Sequence, residues 1–144
     1  MKRIHIHVSV DDIGASISFY ATLFGAPPNV TKPDYAKWSL DDPRLNFAIS
    51  QRGTEQGLDH VGIEVGNRSE LAEIAVRLKA ADETTFDQQA TNCCYAVSDK
   101  TWVTDPSGIR WETFYTFNES TVYGEEPVLL EQSALGQTTS ACCG

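Results

Sequence analysis

A repeat inside the 144-residue chain constrains its fold more than any other feature. Laying His5 on His60, an offset of 55 residues, brings His-Ile-His-Val-Ser-Val-Asp-Asp (5–12) onto His-Val-Gly-Ile-Glu-Val-Gly-Asn (60–67). Each segment alternates as a strand does and ends in a residue suited to cap a helix. After Asp12, Ile13, Ile17, Tyr20 and Phe24 recur at helical spacing until Gly25 and Pro27-Pro28 stop the helix. After Asn67, Leu71, Ile74, Ala75 and Leu78 do the same, and Glu70 stands where a capping-box carboxylate belongs. Trp38-Ser-Leu-Asp41-Asp-Pro43 then matches Trp102-Val-Thr-Asp105-Pro106, and strands follow at 45–50 and 109–116. Asp105-Pro106-Ser107-Gly108 is a turn that ties two strands into a hairpin.

The spacing predicts an α+β chain of two βαβββ modules, 1–52 and 58–117, joined by the polar stretch 52–57 and paired around a shared metal-binding cleft. Residues 118–144 lose the pattern and read as an extension ending in a mobile, cysteine-bearing tail. With 11 basic against 20 acidic residues the net charge is −9, which disfavours nucleic acid and anionic membranes as partners. No apolar run approaches the roughly 18 residues of a membrane span. The start, Met-Lys-Arg-Ile-His, runs directly into strand pattern and is read as lacking a signal peptide, hence a cytoplasmic chain.

All four cysteines fall in vicinal pairs, Cys93-Cys94 and Cys142-Cys143. Neighbouring Cα atoms on a trans peptide are about 3.8 Å apart, short of ordinary disulfide geometry, so a bridge within either pair would be strained. Two adjacent thiolates instead suit a thiophilic ion or metalloid. Cys93-Cys94 falls in the second module, ahead of a strand beginning near Trp102, and is the expected substrate site; Cys142-Cys143 is at most an accessory.

His5 and His60 occupy equivalent points of the repeat and would meet in the cleft as a metal pair. Glu112 lies in an otherwise aromatic and β-branched strand, and its counterpart in the first module is Ala48. His5, His60 and Glu112 thus make two imidazoles and one carboxylate with positions left open, the pattern of non-haem Fe(II) sites that handle O₂. His7 shares the face of His5 and is expected to support the site or to swap in as a ligand; Glu64 shares that of His60 and is expected at most to support it. Tyr95, Trp102 and Tyr115 are read as core or cleft wall.

The paired modules, His5, "DHVGIEV" and "DPSGIRWETF" resemble the vicinal oxygen chelate superfamily of glyoxalase I, bleomycin-resistance proteins and extradiol dioxygenases. "SFYATLFGAPPNVTKPDYAKWSLDDPRLNFAIS", "TNCCYAVSDKTWV" and "STVYG" are similar to its branch of cadmium-induced proteins and organoarsenical carbon–arsenic lyases, over about residues 3–124. That resemblance implies an Fe(II)-dependent dioxygenase-type lyase that releases arsenite from trivalent organoarsenicals with O₂. His5, His60 and Glu112 would hold the metal, and Cys93-Cys94 the arsenic. Some members carry glutamine in place of His5, which leaves Ni, Zn or another divalent metal open. The competing readings are a non-catalytic cadmium- and arsenite-binding resistance protein and a glyoxalase-like metal-dependent isomerase. Superfamily analogy implies a homodimer.

Overall fold

The protein is described here from a computed structural model covering residues 1–52 and 55–120. The Cys142-Cys143 pair and the tail from residue 121 onward lie outside the described residues.

The elements run β1 (Arg3–Ser9), α1 (Ile13–Phe24), β2 (Val30–Lys32), β3 (Tyr35–Asp41), β4 (Arg44–Ser50), then β5 (Gly57–Glu64), α2 (Arg68–Ala80), β6 (Thr85–Cys93), β7 (Ala96–Thr104) and β8 (Arg110–Glu119). The order βαβββ therefore occurs twice. The eight strands form one mixed sheet, β2-β3-β4-β1-β5-β8-β7-β6, curled into a half-barrel. β1 and β5 are antiparallel neighbours at its centre, so the two halves meet edge to edge within one chain. His5 and His60 thus sit on hydrogen-bonded neighbouring strands rather than on opposing walls.

Local chemistry explains the element boundaries. Asp12 accepts from the Ala15 amide at 2.9 Å to start α1. Gly25, at φ 67°, ends α1 in the left-handed conformation its missing Cβ permits. Asn67 accepts from the Glu70 amide at 2.9 Å, while the Glu70 carboxylate reaches back to the Gly66 amide at 2.7 Å, one residue before the expected partner. Asp105 Oδ1 accepts from the amides of Ser107 and Ile109 and so closes the β7–β8 hairpin.

Both helices pack on one side of the sheet. α1 lays Ile13, Ile17, Tyr20 and Phe24 over Trp38, Phe47 and Ile49. α2 lays Leu71, Ile74 and Leu78 over Ile63, Val65 and Tyr115. Strand alternation sends the other residues to the opposite, concave face: His5 and His7, Ala48, His60 and Gly62, Glu112, Lys100 and Trp102. One face is thus committed to hydrophobic packing, which leaves the other for polar groups.

Two positions correct the expectations. The strand after the vicinal cysteines begins at Ala96, not near Trp102, so Cys93 ends β6 and Cys94 lies in the β6–β7 turn. His7 stands opposite His60 and His5 opposite Gly62 in one continuous register, which shifts only beyond them, between His7 and Val8.

Gly62 is the tightest point of the central seam. A Cβ built there would stand 2.0 Å from the Glu112 carbonyl oxygen and 3.0 Å from its carbon, both backbone atoms that cannot swing aside. Gly62→Ala is expected to push β8 off β5 and cost about 2–3 kcal/mol in urea unfolding. It should also weaken metal binding, because Glu112 moves with the strand. A variant as stable as the parent would show that the seam is wider than this spacing implies.

Candidate metal centre

Four wholly buried side chains gather where β1, β5 and β8 run side by side: His5, His7, His60 and Glu112. His5 Nε2 lies 3.2 Å from His60 Nε2, and Glu112 Oε2 lies 3.1 Å from His60 Nε2 and 3.8 Å from His5 Nε2. Ligand bonds of about 2.1 Å at tetrahedral or octahedral angles place neighbouring donors about 3.0–3.4 Å apart, close to this spacing. The structure thus brings together the three residues whose spacing suggested a site.

The protons favour the same reading. His5 Nδ1–H is directed at the Asn46 carbonyl and side-chain oxygens, each at 3.1 Å. His60 Nδ1–H is directed at Asp59 Oδ1 at 2.7 Å. With both Nδ1 atoms protonated, each Nε2 presents a lone pair. Two lone pairs and a carboxylate oxygen then converge with no hydrogen to share, an arrangement that calls for a cation. These residues fit a divalent metal.

His7 stands closer to this centre than its supporting rank implied. Its ring centroid is 5.0 Å from that of His60 and 6.3 Å from that of His5, and donor atoms of all three histidines lie within 4.8 Å of one another. Its Nε2 meets Ser50 Oγ at 2.8 Å. Glu64 has an Oε2 buried without a hydrogen-bond partner among the described residues.

Lys100, which sequence reasoning did not select, is the other charge of the centre. It is 2% exposed, and its Nζ lies 2.5 Å from Glu112 Oε1. The carboxylate is thereby divided: Oε1 faces the ammonium and Oε2 faces the histidines, leaving one oxygen for a metal. Asp59 and Arg110 were likewise not selected, although Asp59 directly precedes a proposed ligand. Trp102 does form a wall, edge-on to His60 with centroids 5.1 Å apart.

Burial alone would raise the Glu112 pKa, but Lys100 and then the His60 hydrogen bond and charge hold it well below the usual carboxylate range. Burial, followed by repulsion from His60, lowers His5 to about 4. Burial would lower His60 as well, but its hydrogen bonds to Asp59 and Glu112 raise it above the ordinary histidine value. A proton on His60 is the least cation that can satisfy the cluster.

These shifts set a pH profile for the metal-free protein. Between the ordinary histidine value near 6.5 and about 4, the unfolded chain binds a proton that folded His5 refuses. Stability therefore falls as pH drops through that window, by an amount on the order of 3 kcal/mol. His60 acts in reverse: its contribution is complete below 6.5 and is lost as pH rises through its raised folded value. Urea unfolding across pH 4–8 should show a maximum near 6.5, and His5→Gln should flatten the acid side between 6.5 and 4. An unchanged acid side in that variant would assign the loss to other groups.

The vicinal pair lies in the same cleft. Cys93 and Cys94 are 2% exposed and pack with Tyr35 and Ala48, and Ala48 is the register partner of His7. Their sulfurs are 3.7 Å apart, so they are not bonded to each other; each is half of a disulfide, and reduction must precede any role as a soft ligand. Cys94 and Tyr95 have φ of 52° and 63° in a two-residue hairpin turn. Asn-Gly suits that conformation, whereas residues with a Cβ bear about 1–2 kcal/mol each. The Tyr95 hydroxyl donates to Asp34 Oδ1 at 2.8 Å and anchors the turn to the start of β3 in the other half.

No helix among the described residues is long and apolar enough to cross a membrane. Residues 2–113 match the family described as the Glyoxalase/Bleomycin resistance protein/Dioxygenase superfamily. A "Cadmium-induced protein CadI" of Mycobacterium tuberculosis is 39% identical, with 100% of this chain and 95% of the relative covered. A "Trivalent organoarsenical cleaving enzyme" of Bacillus sp. (strain MD1) is 41% identical over 81% of this chain and 74% of its own. One of the same name from Thermomonospora curvata is 36% identical over 99% and 89%. Among solved structures, a homoprotocatechuate 2,3-dioxygenase variant of Brevibacterium fuscum superposes with a TM-score of 0.63 at 14% identity, covering 85% of this chain and 34% of that one. The Mn(II)-bound glyoxalase of Novosphingobium aromaticivorans gives 0.60 at 16%, covering 83% and 42%. At such identities these two likenesses speak for the fold alone.

Proposed function

Because the chain belongs to the glyoxalase/bleomycin resistance protein/dioxygenase superfamily, we propose that it is an Fe(II)-dependent lyase that uses O₂ to split the carbon–arsenic bond of trivalent organoarsenicals and release arsenite. One observation carries this reading: His5, His60 and Glu112 converge within 3.1–3.8 Å in the cleft whose wall holds the vicinal cysteines. Relatives at 36–41% identity that are named for organoarsenical cleavage supply the substrate class.

His5, His60 and Glu112 would hold the metal, with His7 beside them. Bound iron would supply the oxygen chemistry and the positions for O₂ that these three donors leave open. The chain's own residues do the rest. Reduced Cys93 and Cys94 offer two soft donors on adjacent residues, matched to thiophilic trivalent arsenic. Tyr35, Ala48 and Tyr95 surround the thiols and exclude water from the organic substituent. The register contact between Ala48 and His7 joins the thiol pocket to the metal ligands, so a held substrate is positioned for reaction.

The test uses reduced protein loaded anaerobically with Fe(II) and given a trivalent methylarsenical and O₂. Arsenite should accumulate over many turnovers. Its absence, with iron and thiols demonstrably intact, would sink the lyase reading. The 39% identity to a cadmium-induced protein favours a second reading, a non-catalytic cadmium or arsenite binder. That reading predicts stoichiometric capture without turnover, surviving Glu112→Ala and weakened by Cys93→Ser. Homodimerisation and a cytoplasmic location belong to the proposed reading, and the first is tested by sedimentation of the metal-loaded protein.

A further inference from the structure

The two imidazoles that would hold the metal are backed by groups of different charge. Behind His5, both acceptors belong to Asn46 and both are neutral. Behind His60 stands the Asp59 carboxylate, at the shorter distance of 2.7 Å. Strand geometry does not require the difference: Asn46 reaches across from β4, whereas Asp59 precedes its own ligand on β5.

Asp59 is itself held on both oxygens. Arg110 Nη2 lies 3.2 Å from Oδ1, and Ser9 Oγ donates to Oδ2 at 3.4 Å. The Arg110 guanidinium lies 5.7 Å from the Trp102 ring centre, and that ring packs edge-on to His60. Asp59, Arg110 and Trp102 thus close a loop around the imidazole. Arg110 Nη1 is buried with no hydrogen-bond partner among the described residues. An unmet buried donor is costly, so the guanidinium is not placed to its own best advantage. Its position follows that of Asp59.

We infer that Asp59, clamped by Arg110 and Ser9, is a positioning residue that makes His60 the stronger, anion-backed metal donor and leaves His5, backed by an amide, the weaker. A carboxylate behind an imidazole fixes its ring and raises the basicity of the nitrogen that faces the metal. A neutral amide fixes the ring but donates less. The two ligands, equivalent in the repeat, are therefore unequal in the site. This rests on the metal-site reading above.

The experiment titrates the full-length, reduced, metal-free protein with Co²⁺, following the visible ligand-field band and the affinity by chelator competition. Asp59→Asn keeps an acceptor of the same shape and removes the charge. It should weaken Co²⁺ about tenfold and move the band, a larger loss than any accompanying change in metal-free stability. Asp59→Ala, which also loses the acceptor, should weaken binding further, towards about 100-fold. If Asp59→Asn binds within about twofold of the parent with the same band, the inference is overturned. It is equally overturned if the loss of Co²⁺ affinity, taken as free energy, does not exceed the loss of metal-free stability, since Asp59 would then be structural. If the parent itself binds Co²⁺ no better than His60→Ala, the metal reading fails and this inference with it.

Discussion

Glu112→Ala is expected to destabilise the metal-free protein by about 3–5 kcal/mol. The reason is the ion left behind. Lys100 is 2% exposed and Glu112 fully buried, with 2.5 Å between Nζ and Oε1. Removing the carboxylate strands an ammonium where water does not reach. Removing both charges should be far milder: Lys100→Met with Glu112→Leu fills similar space with apolar atoms and leaves nothing unpaired. Urea unfolding of the parent, Lys100→Met, Glu112→Leu and the double variant closes the cycle. A strongly positive coupling, with the double variant near the parent, is the expected pattern. A single Glu112→Ala variant within 1 kcal/mol of the parent would mean that Lys100 finds other solvation, and the pair would lose its structural role. Metal binding should weaken sharply in every variant lacking Glu112, whatever its stability, because Glu112 Oε2 is the carboxylate oxygen that faces the Nε2 atoms of His60 and His5.

Cys93→Ser is expected to lower kcat/KM for a trivalent methylarsenical by at least about 100-fold while leaving Co²⁺ affinity unchanged. Holding a reactant beside a catalytic group is worth several kcal/mol, far more than the loss this expectation requires. Serine preserves size and polarity but offers a hard oxygen in place of a soft sulfur, so the change isolates ligand chemistry from packing. The cysteines pack against Ala48 and Tyr35 rather than among the metal donors, and for that reason the metal site should be indifferent to the substitution. Steady-state kinetics on reduced, iron-loaded protein, paired with the Co²⁺ titration, separates the two effects. Turnover within threefold of the parent would remove the dithiol from the substrate site. A loss of metal affinity would instead make it part of the metal centre.

The left-handed turn at Cys94 and Tyr95 bears on the same question. Neither residue is suited to that conformation, yet the turn holds both sulfurs inward and buried. Backbone strain is concentrated at the place where the proposed chemistry needs two sulfurs on adjacent residues.

Much of the fold was legible in local signals because those signals are themselves short-range. Asp12 and Asn67 cap their helices through amides three residues away, and Asp105 closes its hairpin within four residues. The repeat extended that legibility: it paired Ala48 with Glu112, and the structure places Ala48 opposite His7 and Glu112 opposite Gly62, at equivalent registers of the two halves. The start of β7 was misplaced because the vicinal cysteines occupy a turn that is usually marked by Asn-Gly, and neither Cys94 nor Tyr95 announces a left-handed residue.

By itself, the sequence determined the two βαβββ units, the equivalence of His5 and His60, the asymmetry between Ala48 and Glu112, and the vicinal pairing of the cysteines. These follow from periodicity, capping and spacing, which act along the chain. The tertiary structure decided what those residues touch. Lys100 meets Glu112 because β7 lies beside β8, Arg110 meets Asp59 across 51 positions because β8 lies beside β5, and Tyr95 reaches Asp34 across 61 because the curled sheet brings its outer strands together. The antiparallel pairing of β1 with β5, which sets His7 opposite His60, brought a third histidine to the centre. Strand order and register arise only when the hydrophobic faces under α1 and α2 are buried together. The charges that surround the proposed metal ligands are therefore a property of the assembled sheet, whereas the candidate ligands themselves are already written in the repeat.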